Sequence, residues 1–451
     1  MKGLRRDLGT IESYAAMIGI LIGAGIFKVT SDAWELTGPS VILGYLVLAP
    51  AILATSVAYS VYLSTPLGRE PGGEYTHLSR TFGGYGLAFV GVWLKIISYI
   101  GALAYLAVAC AEYLLALVGK HGNPLPLATA TLVVFYVIHV AGVRWFGLIQ
   151  VWMCALLGLS LVVLIVPGVF AIYAPNYRPF FTHGLGGFAA ALPPLFFAYA
   201  GFESLAQTAG EVRDSTTRLP RIFLKGISVT MVIYFLMSVV AFGVLPGAQL
   251  RASTAPMTAV ASRYLPVGAA WFVTFGAVMA LTTSVNATML VPSRVAIMLA
   301  GDRLAPRALG AISPRTGTPV IGLTITLAVA LALVVSGRIG LALNIAVFAL
   351  VTLYFLHSLA LLLLPRLNPE LFRSATLPLP LWLQRVAAVI SLLSMGTIIA
   401  LQITNDVRER MHGGALTTIE LTLIWSAIGG LLYFLTSRSS ASSPAASTDP
   451  S

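Results

Sequence analysis

Gly23-Ala24-Gly25-Ile26-Phe27 lies in the middle of an apolar stretch running from about Ile11 to Leu36. A helix needs about 20 apolar residues to cross a bilayer, so this stretch is long enough to span one. Its centre nevertheless carries two glycines, and glycine both weakens a helix and lets the backbone turn aside. The expected element is a spanning helix interrupted halfway. A second interruption of the same kind, Phe197-Ala198-Tyr199-Ala200-Gly201-Phe202-Glu203, falls in an apolar stretch of the second half of the chain.

Composition fixes the surroundings of these two breaks. Of 451 residues, 58% are hydrophobic and 10% charged, and the mean hydropathy is +0.90. An average soluble domain is about 25% charged, so this chain lacks the polar surface to face water and reads as a multispanning membrane protein in a lipid bilayer. Cys110 and Cys154 both lie in apolar runs and read as small core residues rather than a disulfide or metal pair. The first ten residues run straight into a span, with no separate apolar region and cleavage site of a signal peptide.

Twelve apolar segments are legible, at about 11–37, 40–65, 85–118, 125–142, 146–173, 188–210, 222–246, 268–299, 318–336, 339–364, 381–403 and 416–436. The formal net charge of +11 is topological and not a nucleic-acid surface. With the N-terminus in the cytoplasm, eighteen of the 27 lysines and arginines fall at inner loops or segment ends and seven at outer ones. That positive-inside asymmetry puts both termini in the cytoplasm of a multi-pass protein of the plasma or inner membrane. The expected architecture is all-α, with twelve transmembrane helices. Residues 1–10 form a cytoplasmic N-terminus, and residues 11–173 and 188–365 form two five-helix sets. Helices eleven and twelve cover 381–436, and a Ser-, Ala- and Pro-rich cytoplasmic tail, 437–451, has the composition of a disordered segment. Five is odd, so the second set enters from the opposite side, which makes a 5+5 inverted repeat with broken first and sixth helices plus two extra helices. Two interrupted segments in corresponding positions of two halves mark a transporter's binding site.

Further motifs accompany the breaks. Pro71-Gly72-Gly73-Glu74-Tyr75 ends at Phe82-Gly83, and Glu211 follows Glu203. Ser293-Arg294, Asp302-Arg303-Leu304-Ala305-Pro306 and Gly317-Thr318-Pro319 come later. In this order and spacing the chain resembles the amino acid–polyamine–organocation (APC) superfamily of permeases, which has the leucine-transporter-like fold, over roughly residues 8–400. It departs from that pattern at Asp214-Ser215-Thr216-Thr217-Arg218, where the family usually reads Asn-Pro-x-Arg.

The resemblance implies an amino acid site built on the breaks. Half-helix N-termini attract a carboxylate, and unwound carbonyls accept from an ammonium. The amides of Ala24, Gly25 and Ile26 are expected on the carboxylate side. The resemblance places ammonium-accepting carbonyls at Ile20 or Leu21, Phe197, Ala198 and Ala200, beside the break at Gly201. Phe197, Tyr199 and Phe202 are expected to shape the side-chain pocket or close over it. Close packing of small residues between membrane helices is the plainer reading of the glycines.

A sodium ion is the implied coupling ion. The fold's usual site maps onto the carbonyls of Gly19, Ile22 and Ala280 and the hydroxyls of Thr283 and Ser284. Such neutral oxygens suit a small hard cation, although Ser and Thr also commonly bond back to their own helix. Proton-coupled relatives can place a fifth-helix lysine here, expected near Leu157 or Gly158; the segment from Phe146 to Tyr173 contains none. Intramembrane ionisable residues are functional candidates. Glu203 adjoins the break and is a candidate for gating or proton exchange, or for capping unwound backbone. Lys95, in the inner half of the third segment, and Glu112, near its outer end, are expected to snorkel.

No catalytic constellation, cofactor motif or obligate protein partner is evident. The six histidines are scattered and no nucleotide-binding loop appears. The expected function is a secondary active importer of amino acids, neutral rather than polyamine because few acids are buried, sodium-coupled and working by alternating access. The alternatives are a proton-coupled or exchange-type amino acid or amine antiporter, and a non-transporting membrane sensor.

Overall fold

The computed structural model describes residues 9–23, 25–70, 72–207, 209–411 and 417–441, and every regular element in them is helical. Ala24, Pro71, the first eight residues and the end of the tail lie outside the described residues. The first segment is α1 (Thr10–Leu21), one π-helical turn (Gly25–Val29) and α2 (Thr30–Thr37). After it come α3 (Val41–Leu63), the short α4 (Glu74–Phe82), α5 (Gly86–Leu117), α6 (Leu125–Ala141) and α7 (Val143–Phe170). The second interrupted segment is α8 (Gly184–Phe196), a tight turn (Phe197–Tyr199) and α9 (Ser204–Gln207). The remainder is α10 (Ser215–Val244), α11 (Gly247–Ala252), α12 (Pro256–Tyr264), α13 (Val267–Gly301), α14 (Val320–Val335), α15 (Ile339–Leu367), α16 (Pro369–Arg373), α17 (Leu381–Met411) and α18 (Thr418–Ala441).

Nine helical stretches among the described residues are long and apolar enough to cross a membrane. The first of them, Thr10–Leu63, contains both the broken segment and α3, and the apolar helices Leu125–Ala141 and Val320–Val335 are shorter than the rest. The tail reading begins later than the composition implies, because α18 continues to Ala441. Pro246, Pro256 and Pro266 stand at the starts of α11, α12 and α13, where a missing N–H leaves no helical bond unmade.

Trp152, Val162, Leu393, Leu423, Ile428 and Leu431 are exposed on α7, α17 and α18. An apolar outer face of this kind suits hydrocarbon, where only helices with satisfied backbones persist. α5 packs along both α13 and α15, and α1 lies against α7, α10 and α13. The α18 helix is clasped to α5 by a stacked tryptophan pair with ring centroids 4.5 Å apart. Each indole donates to the other's carbonyl, Trp93 Nε1 to Trp425 O at 2.7 Å and Trp425 Nε1 to Trp93 O at 2.8 Å. The π turn after α1 touches the tight turn after α8, so the two breaks meet.

Candidate functional site

Gly25 sets how closely the breaks approach. A Cβ built on it would collide with the Cα and Cβ of Ala198, so only a residue without one fits. Gly201 has φ +106°, a conformation side chains resist, and a Cβ there would meet Ile20 Cγ1 at 2.9 Å. Between the breaks lies a cavity of about 30 Å³. Leu21, Gly25, Phe197, Ala200 and Gly201 line it, α5 adds Ser98, Tyr99, Ala102 and Leu106, and α15 adds Ala346 and Leu350. None of its lining residues is charged.

Of the expected side-chain determinants, Phe197 lines the cavity and the other two aromatics do not. Tyr199 donates to Tyr45 O at 3.1 Å, and Phe202 packs against Tyr59, Phe223 and Tyr354. Both stand behind the break. Ile26 is buried in the π turn, and Ala24 lies outside the described residues. The first amides of a resumed helix have no intrahelical acceptor; of the two residues, Gly25 lines the cavity and Ile26 does not. Of the carbonyls, Phe197 O accepts from Ala200 N at 3.1 Å and Ile20 O from Ser284 Oγ at 3.3 Å.

Tyr234, on α10, was not legible in the sequence and joins the two breaks. Its hydroxyl lies within hydrogen-bond reach of Leu21 O and, at 2.6 Å, of Ala198 O. A hydroxyl has one proton; Leu21 O also accepts from the Gly23 amide at 2.9 Å, which leaves the tyrosine proton to Ala198 O. Tyr45 completes this wall: its hydroxyl donates to Gly25 O at 3.0 Å, and its ring lies 5.4 Å from that of Tyr234. Tyr234→Phe is expected to destabilise the fold by about 1–3 kcal/mol, since Ala198 O loses its side-chain donor. An unfolding midpoint in detergent equal to that of the unaltered protein would contradict this.

At the crossing of α1 and α13, four of the five expected ion ligands come together. Thr283 Oγ1 donates to Gly19 O at 2.8 Å or Ala280 O at 2.7 Å. Ser284 Oγ lies 3.1 Å from Gly19 O and 3.2 Å from Ala280 O. Ile22 follows the last turn of α1, its amide bonded to Ile18 O at 2.8 Å. Thr282 bonds back to Val278 O and Met279 O of its own helix. At the place expected for a fifth-helix lysine, Leu157 is buried and Gly158 has nothing within reach of a Cβ. The α7 residue against Gly19 is Gln150.

Below the second break is a fully buried polar network. Glu203 accepts from Tyr99 at 2.6 Å, from Tyr354, and from the Gly201 amide at 3.0 Å, so it caps the unwound backbone and ties α5 and α15 to it. Lys95 does not snorkel. The chain turns inward through Gly72 and Gly73, which carries Glu74 into the protein, and Lys95 Nζ meets its two carboxylate oxygens at 3.0 and 2.9 Å with both side chains 0% exposed. Tyr59 and Gln207 each donate to that carboxylate at 2.7 Å. A motif that reads as a loop is therefore part of the interior. Beside it, His77 Nδ1 and His357 Nε2 are 2.9 Å apart, a pairing that sequence distance hid. Burial, then the His357 ring, lowers the His77 pKa well below the ordinary histidine range.

Above the breaks, the Tyr105 ring packs edge-on against Phe197 and its hydroxyl donates to Asp32 at 3.1 Å. Arg251 of α11 reaches Glu35 at 2.9 Å and Asp32 at 3.6 Å. Glu112 pairs with Lys28 at 3.0 Å, which replaces the expectation that it snorkels. Polar side chains are thus bonded to one another on both sides of the breaks.

The profile of the amino acid permease family matches residues 8–436. Among curated proteins, the chain is similar to the branched-chain amino acid permease BcaP of Bacillus subtilis, at 26% identity over 97% of this chain and 94% of that protein. It is also similar to the methylthioribose transporter of the same organism, at 24% identity over the same shares. Vacuolar cationic amino acid transporter 2 of Arabidopsis thaliana is 29% identical over 70% of this chain and 53% of that protein. With two touching helix breaks, a cavity between them and a family match over nearly its whole length, the chain belongs to the amino acid permease family of the APC superfamily.

Proposed function

We propose that the protein is a secondary active transporter that takes up amino acids with neutral, apolar side chains by alternating access, coupled to sodium. One observation carries the reading: the two breaks meet around a cavity that offers backbone groups from both and no charged side chain. The substrate carboxylate lies at the Gly25 and Ile26 amides, and its ammonium at the Leu21 and Ala198 carbonyls beside the Tyr234 hydroxyl. Its side chain points among Ala102, Leu106, Ala346 and Leu350. A cationic side chain buried there would lack a partner, which is costly.

Sodium takes the place of the hydroxyl protons at the α1/α13 crossing. The hydroxyls of Thr283 and Ser284 turn their lone pairs inward beside Gly19 O, Ile22 O and Ala280 O, all neutral hard ligands. Because α1 carries both sites, the ion and the substrate favour the same arrangement of that helix. We read the bundle as twelve spanning helices in a 5+5 inverted repeat with two added helices, in the cell membrane with both termini inside. The networks at Glu203 and Glu74–Lys95 form the inner closure, and that of Tyr105, Asp32 and Arg251 forms the outer one.

The test is uptake of labelled neutral and cationic amino acids into proteoliposomes. Uptake of an apolar amino acid that falls at least tenfold when choline replaces sodium is the expected result. Uptake indifferent to sodium and dependent on an amino acid preloaded inside would make the protein an exchanger, and binding without uptake a sensor.

A further inference from the structure

A buried amide beside the α1/α13 crossing has no role in the reading above. Gln150, on α7, is 2% exposed. A Cβ built on Gly19 would lie 2.5 Å from Gln150 Nε2 and 3.5 Å from Thr283 Oγ1, so the amide and the hydroxyl flank one face of α1. Gln150 Oε1 accepts from Asn286 Nδ2 at 3.1 Å. Asn286 is fully buried on α13, one turn beyond Thr283, and its backbone carbonyl lies 2.9 Å from His139 Nε2. The far end of each amide, Gln150 Nε2 and Asn286 Oδ1, has no hydrogen-bond partner.

Two half-satisfied amides in a dry interior are expensive, and methionine or leucine would fill the same space without that penalty. The polarity is therefore explained by a ligand, not by packing. A half-turn about the terminal C–C bond exchanges an amide's oxygen and nitrogen. When both amides turn, Gln150 Nε2 donates to Asn286 Oδ1 and the bond between them is kept. Gln150 Oε1 then faces Gly19 and Thr283.

We infer that Gln150 is a further cation-selecting residue of the coupling site, supplying a neutral oxygen from α7 beside Gly19 and Thr283; this rests on the sodium reading above. Asn286 is the positioning residue that keeps the Gln150 amide at this height on α7. An amide carries no titratable proton, so this side chain serves a metal cation and not a proton.

Sodium titrations of substrate uptake in proteoliposomes test the assignment, using Gln150→Met, Gln150→Glu and Ser284→Ala. Removing a supporting group from a metal site typically costs 10–100-fold in affinity, so Gln150→Met is expected to raise the half-saturating sodium concentration at least tenfold. Maximal uptake at saturating sodium should stay within twofold of the unaltered protein, and Gln150→Glu, which keeps an oxygen, should restore the low half-saturating value. If Gln150→Met proves poorly folded, the shorter Gln150→Asn gives the same comparison. An unchanged half-saturating sodium in the Met or Asn variant, with a raised value in Ser284→Ala, would overturn the role of Gln150 and leave the sodium reading standing. Sodium-independent uptake by the unaltered protein would overturn both.

Discussion

Lys95→Met is expected to leave little folded protein. Lys95 Nζ is the only cation bonded to Glu74 among the described residues, and both side chains are 0% exposed. Removing one partner of a buried pair strands the other, at about 3–5 kcal/mol. Tyr59 and Gln207 still donate to the carboxylate, but neutral donors do not cancel its charge. Glu74→Gln alone strands the ammonium, so it should be comparably harmful. The double variant Lys95→Met/Glu74→Gln removes both charges and should regain most of the lost stability, because a neutral replacement of a buried pair is often tolerated. Monodispersity and unfolding midpoint in detergent measure all three. Additive losses in the double variant would show that the pair is not coupled. The regained protein should still transport poorly, since the loop carrying Glu74 would no longer be pinned to α5.

Gly25→Ala is expected to abolish uptake while leaving a folded protein. Its new methyl would collide with the Cα of Ala198 and lie 2.5 Å from its Cβ, and backbone cannot step aside as a flexible side chain can. The π turn and the tight turn must then separate. A displacement of about 1 Å at a reacting site costs on the order of 100-fold, and substrate bridging both breaks is equally demanding of their spacing. Gly158→Ala, on the open face of α7 with nothing within 4 Å, is the matched control and should transport normally. Uptake by Gly25→Ala within a few-fold of the control would mean that the breaks do not jointly hold the substrate.

Both interruptions were legible because glycine in a spanning segment is a local signal, and the helical elements followed from apolar run lengths. Contacts between distant residues were not. Glu74 looked like loop because Pro71-Gly72-Gly73 is turn chemistry, and nothing local says which way the turn delivers the next side chain. Tyr199 and Phe202 flank the break in sequence, yet the unwound backbone rotates them away from the cavity. Tyr234, Tyr45, Gln150 and the His77–His357 pair sit on helices whose rotation depends on packing against partners tens or hundreds of residues away. A polar residue in an apolar helix is a visible signal for all of them but His77, which lies in the polar α4, and it names no partner. The hydroxyls at Thr283 and Ser284 were found only through resemblance, and the structure puts them on Gly19 as well as on their own helix.

The hydroxyl of Tyr234 faces two acceptors with one donor. Leu21 O also accepts from the Gly23 amide at 2.9 Å, which leaves the tyrosine proton to Ala198 O, and on the proposed function the site tells ligands apart by how many donors they bring. A free α-ammonium brings three N–H groups, enough to reach both carbonyls. An N-acylated analogue with the same side chain brings one N–H, which reaches one of them, and an extra acceptor. A compound can thus match the cavity in shape and still be refused, because it offers an acceptor where the site presents carbonyls.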